Sequence, residues 1–504
     1  MEHLLVLLYF AVLVPLCCYG LHRAHLVLLC WRHRERIKAA ESAPALPDDA
    51  LPVVTVQLPL YNEATVVARL IEAAGTIDYP RDRLEIQVLD DSTDETRVIA
   101  EAKVAELRAR GIDAHYVRRP NRVGYKAGAL EYGMRRARGE LVAIFDADFI
   151  PQPDFLRASV GSFSDPRVAM VQTRWAHLNR GTSLLTSVQA LMLDGHHLVE
   201  NRARYGAKCL WNFSGTGGIW RRQAIADAGG WEHDTLTEDL DLSYRAQLRG
   251  WRFVYRPDVV TPAELPEEMS AFRAQQARWA KGTVQTARKL LVRVLRSPLG
   301  LLQRVEVFFH MTPHFAYPLM IALSVLLLPA LVIMPATDLQ TMLLVDLPLC
   351  GGATGSLAMF YATAERAQGR SAWSALVRLP ALISLGVGLA PNQTKAVWDG
   401  LRSMSGEFVR TPKKGDSSGR YQQAAQLPFV EMGLGLVSLA SVIASIETGH
   451  WFATPFAGLF TAGYAYVAGK VIAEQMRSRR SVAPALPAVS REGSAEGPEV
   501  ARAA

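Results

Sequence analysis

The sequence predicts an α/β domain with a doubly wound, mostly parallel sheet, joined to an α-helical transmembrane domain. Three observations predict it. Between residues 53 and 173, apolar runs of strand length alternate with stretches of helical spacing, the pattern of crossover connections between parallel strands. From residue 40 to 305 no apolar run is long enough to cross a bilayer. Outside that block, at 4–30, 313–334, 341–363, 379–397, 427–447 and 451–473, such runs recur, each near the roughly 20 residues a span needs. The 504 residues are 50% hydrophobic and 20% charged, too apolar for a disordered chain. Five cysteines exclude a disulfide scaffold. The net charge of +7 is small and dispersed, so nucleic acid is not expected as a partner.

The first element, residues 1–31, reads as an anchor with its span over Leu4–Leu21, ended by His22, Arg23 and His25. Basic residues follow the run at 32–38 instead of preceding it. The positive-inside rule then places the N-terminus outside and the next residues in the cytosol. The soluble domain, 50–270, shows strands at VVTVQLPL, LEIQVLD, HYVRR, ELVAIFDAD and VAMVQT, with helices at 63–74, 93–110 and 125–138. Ser92 with Glu95 has the capping-box spacing at the second helix. Residues 271–312 read as amphipathic interface helices, and 313–475 as a membrane region.

Within that region, the links at 364–378 and 398–420 are both rich in Arg or Lys and so both cytosolic. The stretch between them, 379–397, with Pro380 and Gly386-x-Gly388, then reads as re-entrant. That leaves five crossings and a cytosolic C-terminus, a sixth crossing being the alternative. Residues 476–504 have a disordered composition, too short for an independent domain.

Acids fall at the strand ends, where open α/β sheets bind ligands. LEIQVLD runs into Asp90-Asp91, and ELVAIFD into Asp146-Ala147-Asp148. One such pair is an ordinary turn; two at strand ends of one sheet suit Mg²⁺ or Mn²⁺ completed by substrate phosphates. Farther on, Thr237-Glu238-Asp239 opens a helical segment, with Thr237 a natural N-cap and the acids near the positive end of the dipole. In Gln275-Gln276-Ala277-Arg278-Trp279, helical spacing puts Gln275 and Arg278 on one face with Trp279 beside them.

In this order the four elements resemble the D, D-x-D, T-E-D, Q-x-x-R-W signature of processive family 2 glycosyltransferases, over about residues 50–415. Leu-Tyr-Asn-Glu (60–63), Gly-Tyr-Lys-Ala-Gly-Ala (124–129) and Asn-Phe-Ser-Gly-Thr-Gly-Gly (212–218) extend the likeness toward the mannan-synthase-like and glucan-synthase-like branch of the cellulose synthase superfamily. The resemblance implies a GT-A fold facing the cytosol on a membrane channel. It implies that Glu63, Asp91 and Asp90 hold the nucleoside, and that Lys126 and Arg278 hold the diphosphate. Asp146 and Asp148 would ligate a divalent metal, with Asp239 as general base. Phe213, Ser214, Gly215, Thr216, Glu238, Gln275 and Trp279 would line the acceptor end. Phe408-Val409-Arg410-Thr411-Pro412-Lys413 resembles the family's gating loop, with Arg410 where cellulose synthases carry Val, which adds Arg410 and Lys413 to the diphosphate set.

The expected function is transfer of hexose from GDP-mannose or UDP-glucose to a growing β-linked polysaccharide in a plasma or Golgi-type membrane, coupled to export. Accessory export or synthase subunits are compatible with it. The alternative is a non-processive glycosyltransferase acting on a lipid of the ceramide type.

Overall fold

The computed structural model describes residues 2–41, 44–333, 351–404 and 427–481. Seven strands form one mixed sheet: β1 Val54–Leu60, β2 Leu84–Asp90, β3 Ala114–Val117, β4 Leu141–Ile144, β5 Val168–His177, β6 Gly218–Arg221 and β7 Arg252–Ala263. Their order is β3-β2-β1-β4-β6-β5-β7. The first four run parallel, in register from Val54↔Leu84 to Leu60↔Asp90 and from Val54↔Leu141 on the other side. β6 lies antiparallel between β4 and β5, and β7 pairs parallel with β5. The sheet is thus mostly parallel, as expected, but β6 and β7 had no sequence signal of their own.

β1, β2 and β4 are buried almost throughout, but only β4 is continuously apolar. The buried polar residues that alternate along β1 and β2 pair across the strands, the Thr55 hydroxyl donating to Glu85 at 2.5 Å and the Gln57 amide to Gln87 at 3.1 Å. One face packs under the helices Val67–Gly75 and Thr96–Ala109. The other packs against Tyr125–Met134 and a cluster of Trp211, Phe213, Trp220, Trp231 and Tyr255.

Two local expectations are corrected. Ser92 and Glu95 form no capping box: Glu95 is the N-cap and its side chain makes no cap bond. The Ser92 hydroxyl instead accepts from the Asn62 amide at 2.8 Å. That bond and the Asn62 side chain, which accepts from the Thr93 amide at 2.8 Å, lash the end of β1 to that of β2. Asn62 has a φ of 56°, a left-handed conformation that asparagine tolerates better than most residues. Second, where the span was expected to end at Leu21, one helix continues over Glu2–Arg32, with His3–Arg32 apolar enough to cross a membrane. His22 contacts the buried Glu306 at 2.9 Å, and Arg23 pairs with Glu200. The polar residues that looked like the end of a span face protein partners, so the helix continues.

Among the described residues, four helices are long and apolar enough to cross a membrane: His3–Arg32, Pro313–Ile333, Phe429–Glu447 and Ala453–Arg477. A bent pair, Ala372–Gly388 and Ala390–Arg402, meets at 47° and would make five if it is one broken span. The bend lies inside the stretch read as re-entrant. Half of the span expected at 341–363 falls outside the described residues; the rest is the helix Gly352–Arg366.

Candidate active site

The carboxyl ends of β1, β2 and β4 open into one cleft, closed on the far side by the helices Glu238–Leu248 and Met269–Leu295. Glu63, Asp91, Lys126, Asp146, Asp148, Ser214, Gly215, Glu238, Asp239, Gln275, Arg278 and Trp279 all line it. Residues up to 216 positions apart in sequence are therefore brought to one surface.

The centre is built around Lys126 and the loop before β6. The Lys126 ammonium lies 2.5 Å from Asp146 Oδ1 and donates to the Gly215 carbonyl at 2.9 Å. Burial disfavours its charge, but Asp146, Glu238 and Asp239 outweigh that and hold its pKa above the usual lysine value. The Asp146 amide donates to the Thr216 hydroxyl at 2.9 Å. Gln172 grips the same loop: its amide nitrogen donates to the carbonyls of Thr216 and Gly217, and its oxygen accepts from the Ser214 amide at 2.8 Å.

Asp239 sits in the first turn of Glu238–Leu248. The Thr237 side chain, expected to cap that helix, makes no cap bond and meets the Thr286 hydroxyl at 3.1 Å instead. One Asp239 oxygen accepts from the Leu240 amide at 2.8 Å, and the other points toward Gly215. Burial, then the neighbouring Glu238 carboxylate, push the Asp239 carboxyl up to about 7, with Lys126 opposing. Glu238 is likewise raised by burial against the pull of Lys126. A carboxylate tuned close to neutrality beside two cations is equipped to accept a proton.

Some residues named from the sequence lie elsewhere. Asp90 is 1% exposed; it accepts from the Tyr116 hydroxyl at 2.7 Å and from the Ser92 amide at 2.8 Å, so it builds the strand end and does not line the cleft. Phe213 is fully buried, edge-on to Trp220, and Thr216 supports Asp146 from behind. Arg410 and Lys413 lie outside the described residues. Asp91 lines the cleft while held by both arms of the Arg119 guanidinium, at 2.8 and 2.6 Å.

Tyr61, Arg122 and Tyr125 are among the cleft residues that had not been singled out. The Arg122 guanidinium stacks 3.3 Å over the Tyr61 ring and 4.8 Å from that of Tyr125. Both tyrosines were inside quoted motifs, but their meeting over Arg122 depends on β1 and the turn after β3 lying side by side. Trp175 and His177, near the end of β5, also line the cleft.

Asp146 and Asp148 fit a divalent cation. Both are oxygen donors at the cleft wall, the ligand type a hard ion takes while sharing its other positions with diphosphate oxygens, and Lys126 beside Asp146 leaves Asp148 outside that pair. Among the described residues, the tightest three-acid cluster lies elsewhere, at Glu232, Asp234 and Asp241. The Lys289 ammonium already sits within 2.9 Å of an oxygen of each.

Residues 52–282 match the family model described as "Glycosyltransferase like family 2". This domain belongs to glycosyltransferase family 2. The family 2 domain is similar to the glucomannan 4-beta-mannosyltransferase 2 of Arabidopsis thaliana, 43% identical over 280 residues, covering 54% of this chain and 52% of the relative. It is also similar to glucomannan 4-beta-mannosyltransferase 1 of Oryza sativa subsp. japonica, 39% identical over 301 residues and 58% of each chain. The chain thus spans about half the length of the curated relatives it matches. Among solved structures, the mannosyltransferase PcManGT from Pyrobaculum calidifontis, in complex with GDP-Man and Mn²⁺, aligns at 25% identity and a TM-score of 0.51. That alignment covers 73% of this chain and 98% of that one.

Proposed function

We propose that the protein is a membrane-embedded, inverting mannosyltransferase that moves mannose from GDP-mannose to the growing end of a β-linked polysaccharide. The observation that carries this is the convergence of Asp239 and Lys126 on Gly215, with Arg278 lining the same cleft. One carboxylate poised to take a proton faces cations placed for a departing diphosphate. The similarity to glucomannan 4-beta-mannosyltransferases supports mannose over glucose.

In this reading, Asp239 takes the proton from the acceptor hydroxyl as that oxygen attacks the anomeric carbon. The bond to the diphosphate breaks on the opposite face, and its electron pair leaves with the phosphate oxygen. Lys126 and Arg278 stabilise the charge that develops there. A divalent cation held by Asp146 and Asp148 would add positive charge at the diphosphate. Trp279 and Gln275 offer the acceptor sugar a stacking face and a hydrogen-bonding edge. Tyr61, Glu63, Asp91 and Arg122 form the nucleoside end. The positive-inside pattern supports a cytosolic cleft, an external N-terminus and a cytosolic C-terminus.

Membranes containing the protein, given one radiolabelled nucleotide sugar at a time, test the reading. GDP-mannose should yield an alkali-insoluble polymer with β-linked mannose. Incorporation from UDP-glucose alone, or mannose recovered only in a lipid fraction, overturns it.

A further inference from the structure

The helix Met269–Leu295 brings Gln275, Arg278 and Trp279 to the cleft, yet its own residues do not finish its first turn. Glu268 stands before it and makes no side-chain cap. The two leading amides are taken by one carboxylate from far along the chain: Met269 and Ser270 donate to the two oxygens of Glu474 at 2.6 and 2.9 Å. Glu474 lies near the end of Ala453–Ser481, one of the helices apolar enough to cross a membrane. A carboxylate taking two otherwise orphaned amides at the positive end of a helix is a strong, charge-assisted cap.

A second tie follows one turn on. Arg273 donates to Glu431 at 2.7 Å, and Glu431, 3% exposed, opens the apolar helix Phe429–Glu447. Asn392, on the bent pair, donates to the Arg273 carbonyl at 2.9 Å. Three helices of the apolar region thus hold residues 269–273. The helix continues unbroken from there, and its rise puts Gln275 and Trp279 about 9–15 Å beyond Met269.

We propose that Glu474 is a positioning residue: with the Arg273–Glu431 pair, it sets where the membrane helices hold Met269–Leu295, and so where Gln275 and Trp279 receive the acceptor. The inference rests on the sugar-transfer reading. Most of the donor end (Glu63, Asp91, Lys126, Asp146, Asp148) comes from strand ends and from Tyr125–Met134, and only Arg278 rides on the gripped helix. Loss of the grip therefore falls mainly on the acceptor.

The test compares the full-length protein with Glu474→Ala and Glu474→Gln in lipid nanodiscs, following hydrogen exchange over residues 269–280, GDP affinity, product length and the KM for an added β-mannan oligosaccharide. Glu474→Ala should speed exchange through Trp279 and shorten the product. It should raise the oligosaccharide KM about tenfold, as a small misplacement of a positioned group does, while GDP affinity stays within about threefold. Glu474→Gln, which keeps one accepting oxygen, should fall between. Unchanged exchange at 275–280 with unchanged product length overturns the proposal. So does a parallel loss of GDP binding, oligosaccharide use and melting temperature, which marks a merely structural contact. If Glu474→Ala does not fold, Glu474→Gln and Glu431→Gln are judged by the same criteria. A parental protein that transfers no mannose sinks the functional reading by itself, while exchange at 275–280 set against GDP affinity still decides the positioning role.

Discussion

Replacing Asp239 with Asn should separate stability from catalysis in opposite directions. Burial and Glu238 raise this carboxyl from 3.8 to about 7 in the folded protein. For an acid, a folded-state pKa above the unfolded one means that ionisation opposes folding: the cost is absent below pH ~4 and fully developed above pH ~7. At about 1.4 kcal/mol per tenfold change, ionised Asp239 costs the fold up to about 4 kcal/mol. The carboxylate borders an open cleft, and water there reduces the realised value to about 1–4 kcal/mol. Asn carries no charge and can keep the bond from the Leu240 amide. At pH 7.5 the variant should therefore melt at or above the parental temperature, although an acid that merely complements a helix dipole would cost about 0.3–1 kcal/mol on removal. Turnover should fall by roughly 10²–10⁴-fold, as when a general base is lost, with GDP affinity preserved because Lys126, Arg278 and the Asp146–Asp148 pair are intact. Thermal unfolding in detergent, GDP titration and mannose incorporation on one preparation provide the three readings. A folded Asp239→Asn protein that binds GDP and polymerises near the parental rate refutes the mechanism.

Because Asp239 must be ionised to accept a proton, kcat/KM should fall about tenfold per pH unit below pH ~7 and level off above it; a flat profile between pH 5.5 and 7.5 argues against the base. Excess chelator should abolish transfer and added Mn²⁺ or Mg²⁺ restore it, and Asp146→Asn or Asp148→Asn should weaken both GDP binding and turnover, measured by titration and initial rate. At Gly215, φ is +85° and an added Cβ would meet Asp239 Oδ2 at 2.9 Å. Gly215→Ala should thus lower turnover at least about tenfold, through about 1–3 kcal/mol of strain delivered at the base, with circular dichroism unchanged. Asp241→Asn should lower stability by about 3–5 kcal/mol in denaturant titrations, as removing one member of a buried ion pair does.

Much of the site was legible because its acids are local punctuation. Strands that end in Asp90-Asp91 and Asp146-Ala147-Asp148 declare the cleft before any register is known, since parallel strands bring their carboxyl ends to one edge. What sequence could not supply are pairings set by distant chain. β6 has only four residues, and its antiparallel pairing with both β4 and β5 joins segments tens of residues away in sequence. Ser92 had the right spacing for a capping box, but the Asn62 amide, 30 residues away, claims its hydroxyl. The first span was expected to end before His22 because Glu306, 284 residues on, is invisible to a local window.

The T-E-D-L-D segment shows the limit most sharply. From composition alone, Asp241 is a near-duplicate of Asp239 and suits a silent control substitution. On a helix, however, two residues apart means about 200° of rotation, so the two carboxylates face opposite ways. Asp239 turns to the cleft. Asp241 turns to the interior, 0% exposed, where Arg245 donates to it at 2.7 Å and Lys289 lies 2.9 Å away. Lys289 belongs to the helix that carries Gln275, Arg278 and Trp279. Asp241 therefore fastens the helix that carries Asp239 to the helix that closes the cleft, and the role proposed for Asp239 depends on that structural tie.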